Sequence, residues 1–337
     1  MTTPLSNCPN GIFLSLFSKL VCVSTLFLIF VGSLVTSTGS GLAVPDWPLS
    51  YGTLFPPMVG GIFYEHSHRM VASLVGFLTL CLAVCLARVE KRRWVKYLGF
   101  AALAVVILQG LLGGITVLFL LPKPISISHG ILAQTFFILT IIIAYSQSAE
   151  RLNREIKGSP EPVSKILWDC SIIFALIYVQ LIIGAIMRHT SSGLAIPDFP
   201  QMGGSFLPGF DEKMLININW HRFQMNLPSV IMPQIMIHFG HRLWAGLILI
   251  WVVVLTIKTF RYYTQEHQMF KTVLILDAII LIQVGLGIAT VLSEKFYTIT
   301  SAHVATGALA LGFITFLLLR VSPLSIKNTA FCFPPTR

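Results

Sequence analysis

The sequence predicts an all-α membrane protein: eight transmembrane helices arranged as two parallel, pseudo-symmetric four-helix bundles. Three observations carry that prediction. The 337-residue chain is 55% hydrophobic and only 11% charged, whereas a soluble domain carries roughly 25% charged residues. Its apolar residues gather in eight runs, each close to the ~20 residues needed to cross a hydrocarbon core. Its landmarks occur twice in the same order, once in each half, which is the mark of a duplicated unit.

The first run, Gly11 to Thr36, lacks a basic leading segment and an A-x-A-like cleavage site, so it reads as a membrane helix and not as a signal peptide. The short, Arg-poor stretch before it argues against a mitochondrial transit peptide. A Gly- and Pro-rich loop follows, Ser37 to Tyr64. The remaining spans are predicted at 66–88, 97–120, 126–148, 167–188, 236–258, 270–292 and 299–320. Residues 1–149 then form an N-terminal four-helix half, 150–166 a linker and 167–337 a C-terminal half.

Charge sets the orientation. Arg88, Lys91, Arg92, Arg93 and Lys96 follow the second span; Arg151, Arg154, Lys157 and Lys165 mark the linker; Lys258, Arg261 and Lys271 lie between the sixth and seventh spans. The long loops 37–64 and 190–235 carry only Lys213 and Arg222 as Lys or Arg residues. Basic loops stay in the cytoplasm, so both termini are expected inside, with the long loops outside. The net charge of +10 is thereby explained without nucleic acid. The six cysteines, at 8, 22, 81, 85, 170 and 332, lie in tails or apolar runs. That placement predicts neither a loop disulfide nor a CxxC metal site, and Cys81 and Cys85 read as core packing.

The repeat is explicit. Ser40-Gly41-Leu42-Ala43-Val44-Pro45-Asp46-Trp47-Pro48 returns as Ser192-Gly193-Leu194-Ala195-Ile196-Pro197-Asp198-Phe199-Pro200. His68-Arg69 returns as His241-Arg242. Gln109 and Gly113 return as Gln283 and Gly287, and His129 as His303, both at an offset of 174 residues. With four spans per half, the two units run parallel about an axis along the membrane normal. The proline-rich loops read as turns, with Asp bonding local backbone, that also roof the site.

His68, His129, His241 and His303 stand at the outer ends of the second, fourth, sixth and eighth spans, which all run in one direction. Each half thus offers two imidazoles from two parallel helices at similar depth, the arrangement with which a bundle supplies axial ligands to haem iron. A single intramembrane histidine is more often a helix–helix hydrogen-bonding group; two matched pairs outweigh that reading. His66, His189, His221, His238 and His267 lack the pattern. Arg69 and Arg242 are either interfacial anchors or partners of haem propionates. The halves differ at one reactive group: three residues before the ligand stands Glu65 in the first half and His238 in the second. Electron carriage needs no carboxylate, whereas proton transfer or charge stabilisation does. The first half therefore reads as the reactive site, against the plainer alternative that Glu65 bonds a neighbouring loop or an arginine.

Taken together, these motifs resemble the haem A synthase family, membrane enzymes that convert haem O to haem A for cytochrome oxidase. The resemblance covers nearly the whole chain: eight spans, both Ser-Gly-Leu loops, Glu-x-x-His-Arg and three further histidines. It implies that His68 and His129 hold the iron of substrate haem O beside a catalytic Glu65, and that His241 and His303 hold a haem b cofactor. The implied reaction oxidises a ring methyl to a formyl through successive hydroxylations and loss of water. Membrane lipid, a haem O synthase and cytochrome oxidase assembly factors are the implied partners, in a bacterial cytoplasmic membrane. Two departures stand out: the outer loops lack the cysteine pair of some members, and His66-Ser67 replaces the usual aromatic and small residue. A di-haem b quinol-oxidising carrier and a non-catalytic haem delivery factor remain as alternatives from other classes.

Overall fold

The computed structural model describes residues 9–152, 161–206, 208–263 and 268–322. These form ten helices: α1 (Pro9–Ser37), α2 (Gly60–Val89), α3 (Arg93–Leu118), α4 (Lys123–Ser146), α5 (Ala149–Leu152), α6 (Glu161–His189), α7 (Glu212–Gln224), α8 (Met232–Tyr262), α9 (Gln268–Leu292) and α10 (Tyr297–Val321). All but α5 and α7 are long and apolar enough to cross a membrane, so the chain is a multi-pass membrane protein. Their outward faces carry large apolar side chains such as Phe77, Leu80, Ile250 and Leu281, as surfaces that meet lipid require.

Packing follows chain order. α1 lies on α2, α2 on α3, α3 on α4, and α4 returns to α1; α6 lies on α8, α8 on α9, α9 on α10, and α10 returns to α6. Between these rings α10 touches both α1 and α4, and α4 also touches α6. The closest approach is at Gly312 of α10, where an added Cβ would lie 2.7 Å from Phe137 Cε1 and 2.8 Å from Ile141 Cδ1 of α4. Connections of three or four residues (90–92, 119–122, 293–296) make sequential neighbours antiparallel. The N-termini of α2, α4, α8 and α10 consequently share one end of the molecule.

Helix boundaries differ from the sequence reading by up to six residues. α2 begins at Gly60 instead of 66, α6 at Glu161 instead of 167, and α8 runs over Met232–Tyr262 instead of 236–258. Hydropathy marks the apolar stretch, while the helices continue as polar turns at its ends. As a result the four histidines lie about 9–14 Å inside their helix starts at 1.5 Å per residue, deeper than an outer-rim position. Helix α7, within the second long loop, was not expected; the Asp211 side chain caps it by accepting from the Met214 amide at 2.8 Å. Cys22, Cys81, Cys85 and Cys170 are free thiols; Cys8 and Cys332 lie outside the described residues.

Candidate functional site

The site is built from the roof downward. In the loop after α1, Asp46 accepts from the amides of Tyr51 and Gly52 at 2.7 and 2.8 Å. Those bonds, first from Gly52 and then Tyr51, hold its carboxyl below the ordinary value, and the turn keeps its shape. Arg69 on α2 then gathers the loop: Nη1 donates to the carbonyls of Asp46 and Leu49 at 2.7 and 2.6 Å, and Nη2 to that of Val44 at 3.2 Å. The same Nη2 lies 2.6 Å from Glu65 Oε1. Glu65 Oε2 accepts from the Val44 amide at 2.9 Å. Glu65 is thus buried with both oxygens engaged, between an arginine one helical turn away and the roof. His66 turns the other way and meets Ser50 Oγ through Nδ1 at 2.8 Å.

The second half repeats these contacts with a different chemical group. Asp198 accepts from the amides of Gly203 and Gly204, both at 3.0 Å. Arg242 Nη2 donates to the carbonyls of Ile196 and Asp198 at 3.0 Å each, and Nη1 to Gln201 at 3.3 Å. Where Glu65 would stand, buried His238 lies with Nδ1 3.2 Å from the Ile196 amide and Nε2 3.2 Å from Arg242 Nε, and a neutral imidazole accepts from one of the two. Helix α7 reinforces this roof: Arg222 donates to the Leu194 carbonyl, and to that of Pro228 at 2.8 Å. Asn219 pairs with the backbone of Val230 in both directions.

Beneath the roofs lie the four histidines, each against a glycine. A Cβ on Gly32 of α1 would fall 2.9 Å from His68 Cε1, and one on Gly113 3.5 Å from His129 Cε1. In the second half, a Cβ on Gly184 would fall 3.5 Å from His241 Cε1, and one on Gly287 3.0 Å from His303 Cε1. The His241 and His303 ring centroids are 6.5 Å apart, their planes 68° to each other. His68 and His129 are close enough to interact electrostatically. Two glutamines hold the outer strands of these contacts: Gln109 Nε2 donates to the His129 carbonyl at 3.0 Å, and Gln180 Nε2 to that of His241 at 3.0 Å.

Whether these residues fit a haem is a question of unspent valence and space. Among the described residues no three His, Cys, Asp or Glu side chains cluster as a metal site of their own. Two facing imidazoles suit instead a metal that brings a planar ligand and leaves two axial positions. Rings bonded to one metal on opposite sides, at about 2 Å each, have centroids roughly 6 Å apart, close to the His241–His303 spacing. Each of the four rings keeps a nitrogen clear of any hydrogen bond among the described residues: Nδ1 in His68, His129 and His241, where it is also buried, and Nε2 in His303. Buried polar atoms are rarely left so. His303 Nδ1 lies 3.1 Å from the Gln283 carbonyl, a contact that places the ring proton there and frees Nε2 for a metal. The residues fit.

The structure therefore brings together the histidines that sequence reading paired, and sets Glu65 one turn outward from His68. It gives Arg69 and Arg242 to loop carbonyls, and it gives the Glu65 carboxylate to Arg69 and the Val44 loop amide, the plainer of the two sequence readings. Residues that sequence reading missed are Gly32 and Gly184, which face the imidazoles from α1 and α6, together with Gln180. Their signal was present as a glycine in the same register of each half, eight residues before the Ser-Gly-Leu loop.

Residues 59–315 match the model of the COX15-CtaA family, described as cytochrome oxidase assembly protein. The chain is 29% identical over 299 residues to "Heme A synthase" of Halalkalibacterium halodurans, covering 86% of this chain and 91% of that protein. Over 308 residues it is 29% identical to "Heme A synthase" of Bacillus licheniformis, covering 89% and 93%. A protein of the same name from Pelagibacter ubique is 29% identical over 331 residues, covering 86% and 89%. With a family model matched over most of its length and the paired histidines inside that match, the chain belongs to the COX15-CtaA family of cytochrome oxidase assembly proteins.

Proposed function

We propose that the protein is a haem A synthase, an oxidoreductase that converts the haem O ring methyl to a formyl by successive hydroxylations and loss of water. The observation that carries this reading is the pair of histidine clusters in a chain whose relatives are named for that activity, with a carboxylate beside only one cluster. His68 and His129 take the iron of substrate haem O in the half 1–149. His241 and His303 take a haem b cofactor in the half 167–337, across the linker 150–166. When bound, the b haem supplies one-electron transfer. The protein supplies binding, orientation and a dry, fixed electrostatic setting.

Its own residues divide the work. Gly32 and Gly113 let the macrocycle's two imidazoles sit flush against α1 and α3. The roof, pinned by Arg69, excludes water from the outer side. Glu65, held by the Val44 amide and Arg69, keeps a carboxylate at a set place beside His68, where it moves a proton or balances a developing positive charge. The farnesyl tail stays in lipid. The membrane is the bacterial cytoplasmic membrane, with both termini inside and the roofs outside. Haem O synthase and cytochrome oxidase assembly factors are the partners this reaction requires.

The experiment is mass analysis of haems extracted from the purified protein, made in cells that supply haem O. Haem A or hydroxylated haem O beside haem b supports the synthase. Two equivalents of haem b alone would favour a di-haem electron carrier, and unaltered haem O a delivery factor.

A further inference from the structure

We propose that Arg188, with Lys295 beside it, forms the carboxylate-binding site that anchors the ring carried by His241 and His303. In the same places of the first half stand the neutral residues Thr36 and Leu121, which leave its bound ring free to exchange. This rests on the reading above, in which each histidine pair holds a porphyrin bearing two carboxylates.

The argument starts on one face of α6. Gln180, Gly184 and Arg188 are spaced four apart and share that face. Gln180 Nε2 reaches His241 at both the carbonyl, 3.0 Å, and Nε2, 3.3 Å, and Gly184 faces the His241 ring. Arg188 stands one turn further outward, about 6 Å by helix rise. Its Nη2 donates to Ser33 O at 2.8 Å and Ser37 Oγ at 3.0 Å on α1. Among the described residues Nε and Nη1 have no hydrogen-bond partner and no carboxylate pairs with the guanidinium. A charge within a membrane helix is costly without a counter-charge, so spare donors one turn from an imidazole pair point to an anion. Arg242 cannot serve, because its donors are spent on the roof and His238.

Lys295 supplies the second cation. It follows α9 in a tight turn at φ 64°, and its Cδ lies 3.5 Å from where a Cβ on Gly193 would be. Its ammonium has no partner among the described residues. Burial first, and then the charges of Arg188 and Arg222, pull its pKa down; three cations have gathered here. The first half shows what is specific to the second. The Cβ of a residue at Gly41 would lie 3.5 Å from Leu121 Cδ1, the same contact with an apolar side chain. On α1 the corresponding face reads Leu28, Gly32 and Thr36, and Thr36 merely returns its hydroxyl to the Gly32 carbonyl at 3.2 Å. A cofactor that must stay has two cations for its two carboxylates; a substrate that must leave as product does not.

The test uses the purified holoprotein and two readouts other than turnover: transfer of the b haem to excess apomyoglobin, and its midpoint potential. Lys295→Leu and Arg188→Thr install the first-half residues. Both are expected to speed b-haem loss, Arg188→Thr by at least tenfold. Both should lower the potential, since a removed cation favours the ferric state, and Arg188→Lys should restore much of each. Arg188 also ties α6 to α1, so Lys295→Leu keeps the test valid if Arg188→Thr does not fold. Unchanged loss rate and potential in a folded Lys295→Leu protein, and in Arg188→Thr where that variant folds, would overturn this inference alone. A wild-type protein without a bis-histidine b haem overturns it together with the functional reading.

Discussion

At the residue scale, Glu65 and His238 hold the same structural place with different chemistry. Each lies between a roof amide, Val44 or Ile196, and an arginine one turn on. The half-to-half difference was legible in the sequence; the shared duty was not, because the partners are backbone atoms that carry no sequence signal. It follows that a neutral isostere separates clamp from chemistry. Glu65→Gln retains an oxygen for the Val44 amide but loses the charge, so haem retention should hold while haem A formation falls by about 10²–10⁴, the usual worth of a positioned acid–base group. Extracted-haem mass analysis per mole of protein reads both, and a Gln variant with full haem A yield would reduce Glu65 to a clamp like His238. The glycines give a second prediction. Gly32→Ala puts a methyl 2.9 Å from His68 Cε1, whereas Gly184→Ala meets His241 Cε1 at 3.5 Å, an ordinary contact. The first should displace its imidazole at a cost of about 1–3 kcal/mol and empty the first-half site. The second should keep its haem, as haem-to-protein ratios of the two variants will report.

At the element scale, hydropathy found every spanning helix and none of what ties their ends. α7 was absent from that reading, though Asp211 ahead of Glu212, and Met214 with Ile218 at helical spacing, formed a start signal. At 13 residues, with Glu212, Lys213 and Arg222 among them, the helix is too short and too charged to register as a span, so a reading by apolar runs passed over it. The α2–α3 connection shows the same limit. Arg92 counts in the sequence as one of several topology-setting cations, yet it is buried. It lies 2.6 Å from Glu90 Oε2, and its Nη1 donates to the Ser146 carbonyl at 3.0 Å. Gln147 Nε2 adds a bond to Glu90 at 2.7 Å, so the clip fastens α4 to the α2–α3 turn. Burial pushes the Glu90 carboxyl up, but the hydrogen bonds from Arg92 and Gln147, with the Arg92 charge, outweigh it and hold the pKa at about 2. A lowered folded-state pKa contributes stability above the ordinary value of 4.5 that is lost as pH falls toward 2. Thermal unfolding in detergent should therefore weaken across that window in the wild type. Glu90→Gln should flatten the dependence and cost about 3 kcal/mol at neutral pH, because it strands a buried guanidinium.

At the scale of the whole molecule, the repeat explains why α4 and α10 lie at the centre. Each is the last helix of its half and carries the second histidine of its pair, and each touches the other half. Contacts across the centre are polar at the roofed end: Ser33 Oγ donates to the Ser301 carbonyl at 3.3 Å, and Ser301 Oγ to Ser37 Oγ at 3.2 Å. They are apolar further in, where Phe137 and Ile141 meet Gly312. The two histidine clusters thus share one end of the molecule, and which side of the membrane that end faces fixes where the substrate is worked on. Charge decides it. The opposite end holds Arg88, Lys91, Arg93 and Lys96, and Lys258 and Arg261, at its helix ends and turns, while the roof between α1 and α2 carries no Lys or Arg at all from Ser37 to Tyr64. The positive-inside rule predicts that the roofs lie outside. A reporter active only outside the cytoplasm should accordingly work when fused after Phe210, and one fused after Val89 should be silent. The reverse pattern would turn the molecule over and place both histidine clusters near the cytoplasmic face. Such a result would leave the histidine pairs intact and overturn only the orientation, because the pairing depends on helix packing and the orientation on loop charge.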